Sequence, residues 1–220
     1  MKKTRRDEMP ASGERKLTWS GRVLGVQPRI RLTRSFDQRY HEYVGYALTI
    51  QIAGGERPGP LTIGVGPAAQ NKFRFQVGGT VAGEALPVGD PDHDIVQLHR
   101  ASKVRYQPPI EQAAAPPPWV GVAPPLPVYR ERGHRRLATQ TYEANCRACV
   151  WGSRMPVTLI IDQWRPDIRR YRFETFCYGP KSCPLYRPGS TRKVPGRRGM
   201  SWEEEDWVDQ DATAHRGEDE

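Results

Sequence analysis

Cys146-Arg-Ala-Cys149 and Cys177-Tyr-Gly-Pro-Lys-Ser-Cys183 bracket a stretch that reads as a β-hairpin. Between them stand Pro156-Val-Thr-Leu-Ile-Ile-Asp162, rich in β-branched residues, then the turn region Arg165-Pro-Asp-Ile-Arg-Arg170. Tyr171-Arg-Phe-Glu-Thr-Phe176 follows, alternating apolar and polar as a return strand does. A hairpin brings its two ends together. It therefore carries the C-x5-C pair back to the C-x2-C pair across a gap of 27 residues. Four thiolates at one point satisfy a tetrahedral ion, so Cys146, Cys149, Cys177 and Cys183 are expected to form one metal site, with structural zinc as the cofactor. Four protein ligands leave no open position for a catalytic water, so such a site serves as scaffold.

Size makes a metal reasonable. The segment 128–200 is too short and too poor in apolar residues to bury much surface, and metal binding supplies about 10 kcal/mol or more of folding free energy in small zinc modules. The order of Cys pair, strand, turn, strand and Cys pair resembles a zinc ribbon. The second pair here is C-x5-C, and the gap exceeds the about 15–20 residues usual between pairs, which keeps a treble-clef-like knuckle open. An iron–sulfur cluster is the alternative cofactor, because four Cys suit it and Cys183-Pro184 matches the Cys-Pro that closes many cluster motifs. Two disulfides, or a redox C-x2-C lacking its usual βαβ context, complete the alternatives.

Upstream, residues 18–108 read as a small β-barrel. Ile30 and Leu32 alternate with Arg29, Arg31 and Thr33, and Tyr46, Leu48, Ile50 and Ile52 share one face of a second strand. Leu61–Val65, Lys72–Val77, Thr80–Leu86 and a segment within Ile95–Tyr106 supply further short strands. Gly54-Gly55, Pro58-Gly-Pro60, Gly78-Gly79 and Asp90-Pro91 punctuate them. Closure would remove the edges that such short strands expose. Phe75-Gln-Val-Gly-Gly-Thr-Val-Ala-Gly83 resembles the strand–turn–strand of OB-fold proteins, with Gly79 where Asp is common. That resemblance implies a mainly β, OB-like barrel ahead of the zinc-ribbon-like module; an SH3-like barrel gives much the same pattern.

Composition frames the rest. Apolar residues make up 37% of the chain, against roughly 45–50% in ordinary domains. With 21 Gly and 21 Pro, much of the chain is expected in turns and tails. Residues 1–17 read as a basic disordered arm, 109–127 as a Pro/Ala-rich linker, and 201–220 as an acidic disordered tail bearing Trp202 and Trp207. No apolar stretch approaches the ~18–20 residues of a membrane span, and no apolar region follows Met1-Lys-Lys-Thr-Arg-Arg6. A cytoplasmic location with reduced thiols is the expectation.

The net charge of +9 is uneven, because residues 201–220 carry nine acids and one Arg. The remainder is strongly basic, which favours a polyanion through counterion release. Nucleic acid, single-stranded DNA or RNA before duplex, is the expected partner. The candidate contacts are Lys72, Phe73, Arg74 and Phe75 on a strand, and Arg169, Arg170, Tyr171 and Arg172 beside the hairpin turn. Arg192, Lys193, Arg197 and Arg198 add a run with no core potential. If Phe73 and Phe75 face inward, they are ordinary core. The acidic tail either folds back over the basic surface or, with the linker and the two Trp, serves a protein-interaction adaptor. An iron–sulfur protein in electron transfer or sensing is the further alternative.

Nothing in the chain carries a catalytic motif. The five His lack metal-helix spacing, and no phosphate loop, nucleophile elbow or dinucleotide fingerprint occurs. Gly89-Asp-Pro-Asp-His-Asp94 could form a divalent-cation loop, although a polar turn is the plainer expectation.

Overall fold

The computed structural model describes residues 15–36, 38–52, 59–110 and 117–217. Strands β1 (Leu17–Arg34), β2 (Arg39–Ile52), β3 (Leu61–Val65), β4 (Thr80–Pro87) and β5 (Leu98–Gln107) form a ring in the order β1-β2-β3-β5-β4-β1. Every pairing in the ring is antiparallel except β3 with β5, which meet in parallel at Ile63 and Leu98. Helix α1 (Pro67–Phe73) crosses from β3 to β4. The expectation of a mainly β chain holds.

β1 can close the ring because it is 18 residues long and bent. Register breaks at Val23/Gly25 and Arg29/Ile30 mark bulges, which coil a strand and re-aim its side chains. Residues 17–22 pair with β4, while Leu32–Arg34 on the same edge pair in parallel with β7 (Gly152–Ile160). Up to Val23 the strand alternates buried and exposed, then every residue from Gly25 to Ile30 is buried. The change has a cause: the ring interior covers one face, and the cysteine-bearing segment covers the other. A Cβ on Gly25 would stand 2.7 Å from the Arg147 carbonyl oxygen.

Beyond the ring come α2 (Leu126–Arg132), β6 (Arg135–Arg136) and α3 (Thr139–Thr141), which runs into a π-helical turn at Tyr142–Cys146. β7 then pairs with β8 (Arg169–Cys177), as the hairpin pattern predicts, and β8 pairs with β6. β9 (Arg192–Pro195) and β10 (Ser201–Glu204) make a separate hairpin, and α4 (Asp206–Thr213) ends the described chain. Ring residues such as Val26, Ile30 and Leu48 share one apolar cluster with Tyr129, Met155, Val157 and Phe176. The ring and the four-Cys segment thus share a sheet and a core. Each fully buried Leu, Ile or Phe contributes about 1.5–3 kcal/mol to it.

Three expectations are corrected. The strand over Lys72–Val77 is not formed. Pro67 suits the first helical turn, and Ala68-Ala69-Gln70 favours continuing it, so this crossover is α1. Arg74 then turns the chain at φ 51°, and Phe75 drops fully into the core against Tyr106. The Pro-rich linker is packed where it is described. Tyr46 donates to the Pro124 carbonyl at 2.7 Å, Val150 N–H donates to the Trp119 carbonyl at 2.8 Å, and Ala123 is buried. The acidic tail, through residue 217, is a strand and a helix that bury Glu204, Val208 and Asp209. Residues 1–14 of the basic arm, 111–116 of the linker and 218–220 of the tail lie outside the described residues. Among the described residues no helix is long and apolar enough to cross a membrane.

Candidate functional site

The thiols sit where the hairpin brings them. Gly152 pairs with Cys177 across β7 and β8, so the knuckle Cys146–Cys149, just ahead of β7, lies over the end of β8. Cys146, Cys149 and Cys177 are buried together with Leu137 and Tyr142, flanked by Trp119, Trp151 and Tyr186. Cys183 is half-buried, and all four are free thiols. Burial, reinforced by the neighbouring thiols, pushes Cys146 up to about 12; burial also raises Cys149 to about 11, and Cys177. N–H groups face the sulfurs: Gly179 N–H donates to Cys177 Sγ at 3.4 Å, and backbone N–H groups of Trp151, Trp119 and Gly152 serve Cys149. As they stand, no group of three or more Cys, His, Asp or Glu among the described residues could hold a metal ion.

A side chain from the ring supports this knuckle. Gln27, buried on β1, donates through Nε2 to the carbonyls of Cys146 at 2.8 Å and Cys149 at 3.0 Å. Its Oε1 accepts the Tyr142 hydroxyl at 2.6 Å. Gly152 has room for no side chain, since a Cβ there would stand 2.7 Å from the Cys146 carbonyl oxygen and 2.8 Å from Gln27 Nε2. Sequence reading missed Gln27, because an isolated polar residue in a strand carries no spacing signal.

The cations named from the sequence divide into internal and external sets. Arg192 is internal: it pairs with Glu174 at 2.9 Å, donates to the Thr175 carbonyl at 2.7 Å and lies over the Phe176 ring. Arg172 likewise pairs with Glu174, at 2.6 Å, and Lys193 pairs with Glu203 at 3.1 Å. Phe75 is core and cannot stack a base, while Phe73 packs on the core with Lys72 over its ring. Arg74 is exposed at the end of α1. Arg169, Arg170 and Tyr171 are exposed on β8, and Arg197 and Arg198 are exposed after β9. The Asp90–Asp94 loop is a polar turn: Asp94 binds Arg29 and Arg31, and Asp90 meets His93 Nδ1 at 2.5 Å.

Further buried charges are structural. Arg34, at 2% side-chain exposure, meets Glu204 at 3.0 Å and Glu174 at 3.7 Å. His41 and His134 pack with ring centroids 4.8 Å apart. Burial, with Arg39 and Arg34 adding to it, depresses His41 to about 4, and burial depresses His134 strongly. Both rings are neutral at pH 7.

Two loops of the ring touch the segments around the β7–β8 turn. Tyr171 stacks on His93 of the β4–β5 loop at 3.8 Å between centroids. Arg197 Nε faces Asp162 in the β7–β8 turn at 3.6 Å. Gly196 lies against Phe36 of the β1–β2 loop, and Phe36 shares a recess of about 500 Å³ with Arg39, Trp202 and Trp207. These contacts join both ring loops to the hairpin turn. Of the exposed aromatics among the described residues, Phe36 and Trp207 line that recess, Trp164 lies with Arg197 at the β7–β8 turn, Tyr171 stands against His93, and Tyr40 begins β2 beside Arg39. Trp164, at 82% exposure, was not singled out from the sequence. Its signal was available: Trp between Gln163 and Arg165, in a turn with no apolar period to bury it. Compared with known proteins, the chain matches no family model, no curated protein and no solved structure.

Proposed function

We propose that this chain is a non-catalytic nucleic-acid-binding protein that prefers single strands. The observation that carries the proposal is the pairing of exposed aromatics with cations around the β7–β8 turn: Trp164 lies with Arg165, Arg197 and Arg198, Phe36 touches the neighbouring Gly196, and exposed Tyr171 follows Arg169 and Arg170 on β8. Aromatic platforms interleaved with cations bind single strands with little sequence preference, because every base has a face to stack and every nucleotide a phosphate. The ring fits this role as an OB-like barrel: five strands, a parallel β3–β5 contact, and a helix between β3 and β4. In OB-folds the β1–β2 and β4–β5 loops flank the oligonucleotide surface, and here Phe36 of the first loop lies against Gly196 while His93 of the second lies against Tyr171. Titration of the full chain with a labelled single strand tests the role. Tight binding at low salt that weakens steeply with added salt is expected; no binding at low salt would refute it.

The same proposal includes zinc as a structural cofactor held by Cys146, Cys149, Cys177 and Cys183. Cys146, Cys149 and Cys177 buried in one cluster, with the half-buried thiol of Cys183 acting on Cys146 and a Gly179 N–H directed at Cys177 Sγ, suit a closed thiolate site. A dication there would stabilise thiolates that burial alone disfavours, and it would tie the C-x2-C knuckle to the end of β8. Elemental analysis of the purified protein is expected to give one zinc per chain, and iron with inorganic sulfide would overturn that assignment.

A further inference from the structure

The turn between β7 and β8 carries a recess of about 460 Å³ lined by Trp164, Arg165, Arg197 and Arg198, with Ile161 and Ile168 beneath. We infer that this recess binds one unpaired nucleotide of a single strand, with its base stacked on Trp164 and its phosphate held by Arg197 and Arg198. The inference rests on the nucleic-acid role proposed above and gives it a site.

The turn is built to hold that arrangement. Asp162, whose carboxylate is almost buried, accepts the Trp164 backbone N–H at 3.0 Å. The same carboxylate faces Arg165 Nε at 3.9 Å and Arg197 Nε at 3.6 Å. One carboxylate thus anchors the Trp backbone and two guanidinium groups from separate segments. Against three Arg it leaves the recess net positive. Arg198 sits in the left-handed backbone region at φ 56°, where a residue other than Gly is strained. Arg74, Arg100 and Lys103 share that conformation, and Gly would adopt it freely, so exchanging Arg198 for Gly removes the cation without disturbing the backbone. The indole is the most exposed Trp named among the large exposed side chains. A flat aromatic beside paired guanidinium groups matches a base and its phosphate; an acidic peptide would use the cations and leave the indole face idle.

Fluorescence anisotropy with the full chain and a labelled oligothymidylate of about 16 nucleotides decides the matter. Trp164→Ala is expected to weaken binding about 5- to 150-fold, and Trp164→Phe to restore most of it. Arg198→Gly relieves the backbone strain, so its thermal midpoint should hold or rise while the log–log salt slope falls by about 0.7. If the wild type binds but Trp164→Ala binds equally well, the site is wrong and the general role survives. If a polyglutamate chain of equal charge binds as tightly and is as sensitive to Trp164→Ala, the nucleotide assignment is overturned. If the wild type binds no oligonucleotide at low salt, the role itself fails and the site with it.

Discussion

Replacing Gln27 with Leu should loosen the cysteine knuckle from the ring. Gln27 Nε2 serves the Cys146 and Cys149 carbonyls, and its Oε1 takes the buried Tyr142 hydroxyl. The two carbonyls keep one partner each, since Cys149 N–H donates to Cys146 and Gly152 N–H to Cys149. Their loss is therefore about 1 kcal/mol apiece, at the low end for a buried group. The hydroxyl loses its only named acceptor in an apolar surround, for about 1–2 kcal/mol. The sum, about 3 kcal/mol, is a large share of the 5–15 kcal/mol typical of a whole domain. Urea unfolding followed by Trp emission measures it, and transfer of the proposed zinc to a chromophoric chelator reports the knuckle itself. Gln27→Leu should lower the unfolding free energy by about 3 kcal/mol and speed metal transfer. A loss below about 1 kcal/mol with an unchanged transfer rate would refute the coupling between β1 and the thiol cluster.

Arg136, fully buried, binds Asp209 at 2.9 Å, Asp206, and the Glu204 carbonyl at 2.6 Å. Arg136→Ala leaves the Asp209 carboxylate buried without its partner, so a loss of about 3–5 kcal/mol is expected in denaturant titration. Deleting residues 201–220 should likewise destabilise the chain, because it removes Glu204 from Arg34, which keeps only Glu174, and both Asp206 and Asp209 from Arg136; a truncated chain of unchanged stability that binds oligonucleotide more tightly would show the segment to be a mask instead. Stability should fall on acidification. His41 titrates near 4 in the fold against an ordinary 6.5, so the unfolded chain binds more protons between those values. Folding free energy is then full above about pH 6.5 and declines toward pH 4, by roughly 3 kcal/mol for such a shift. The groups facing the His41–His134 pair are Arg34, Arg39, Arg192 and Glu204. His134→Phe should flatten the decline, and an identical pH profile in that variant would count against a buried neutral pair.

What could be read from the residues followed the period of two. Ile30 and Leu32, Tyr46 to Ile50, and the strands either side of the Arg165–Arg170 turn are long enough for alternation to place a face. Lys72-Phe-Arg-Phe75 alternates over only four residues, too few to outweigh the helix-favouring Pro67-Ala-Ala-Gln70 just before it. The acidic stretch misled for a different reason. Composition counts Glu204 and Asp209 as solvated, yet each finds a specific Arg more than 65 residues earlier in sequence. No local pattern encodes such a pairing. The same holds for Gln27, which meets the knuckle 119 residues away. The loop contacts are likewise tertiary: Phe36 with Gly196, His93 with Tyr171 and Trp164 with Arg197 each join segments far apart in sequence.

The central claim is that this loop cluster is the nucleic-acid face of the ring. Ultraviolet cross-linking of the full chain to a single-stranded oligonucleotide, with the joined peptides identified by mass spectrometry, tests it most directly. Cross-links should fall on Phe36, Tyr40, Trp164 and Tyr171. Cross-links confined to the α1 end, at Lys72–Arg74, or none at all, would contradict it.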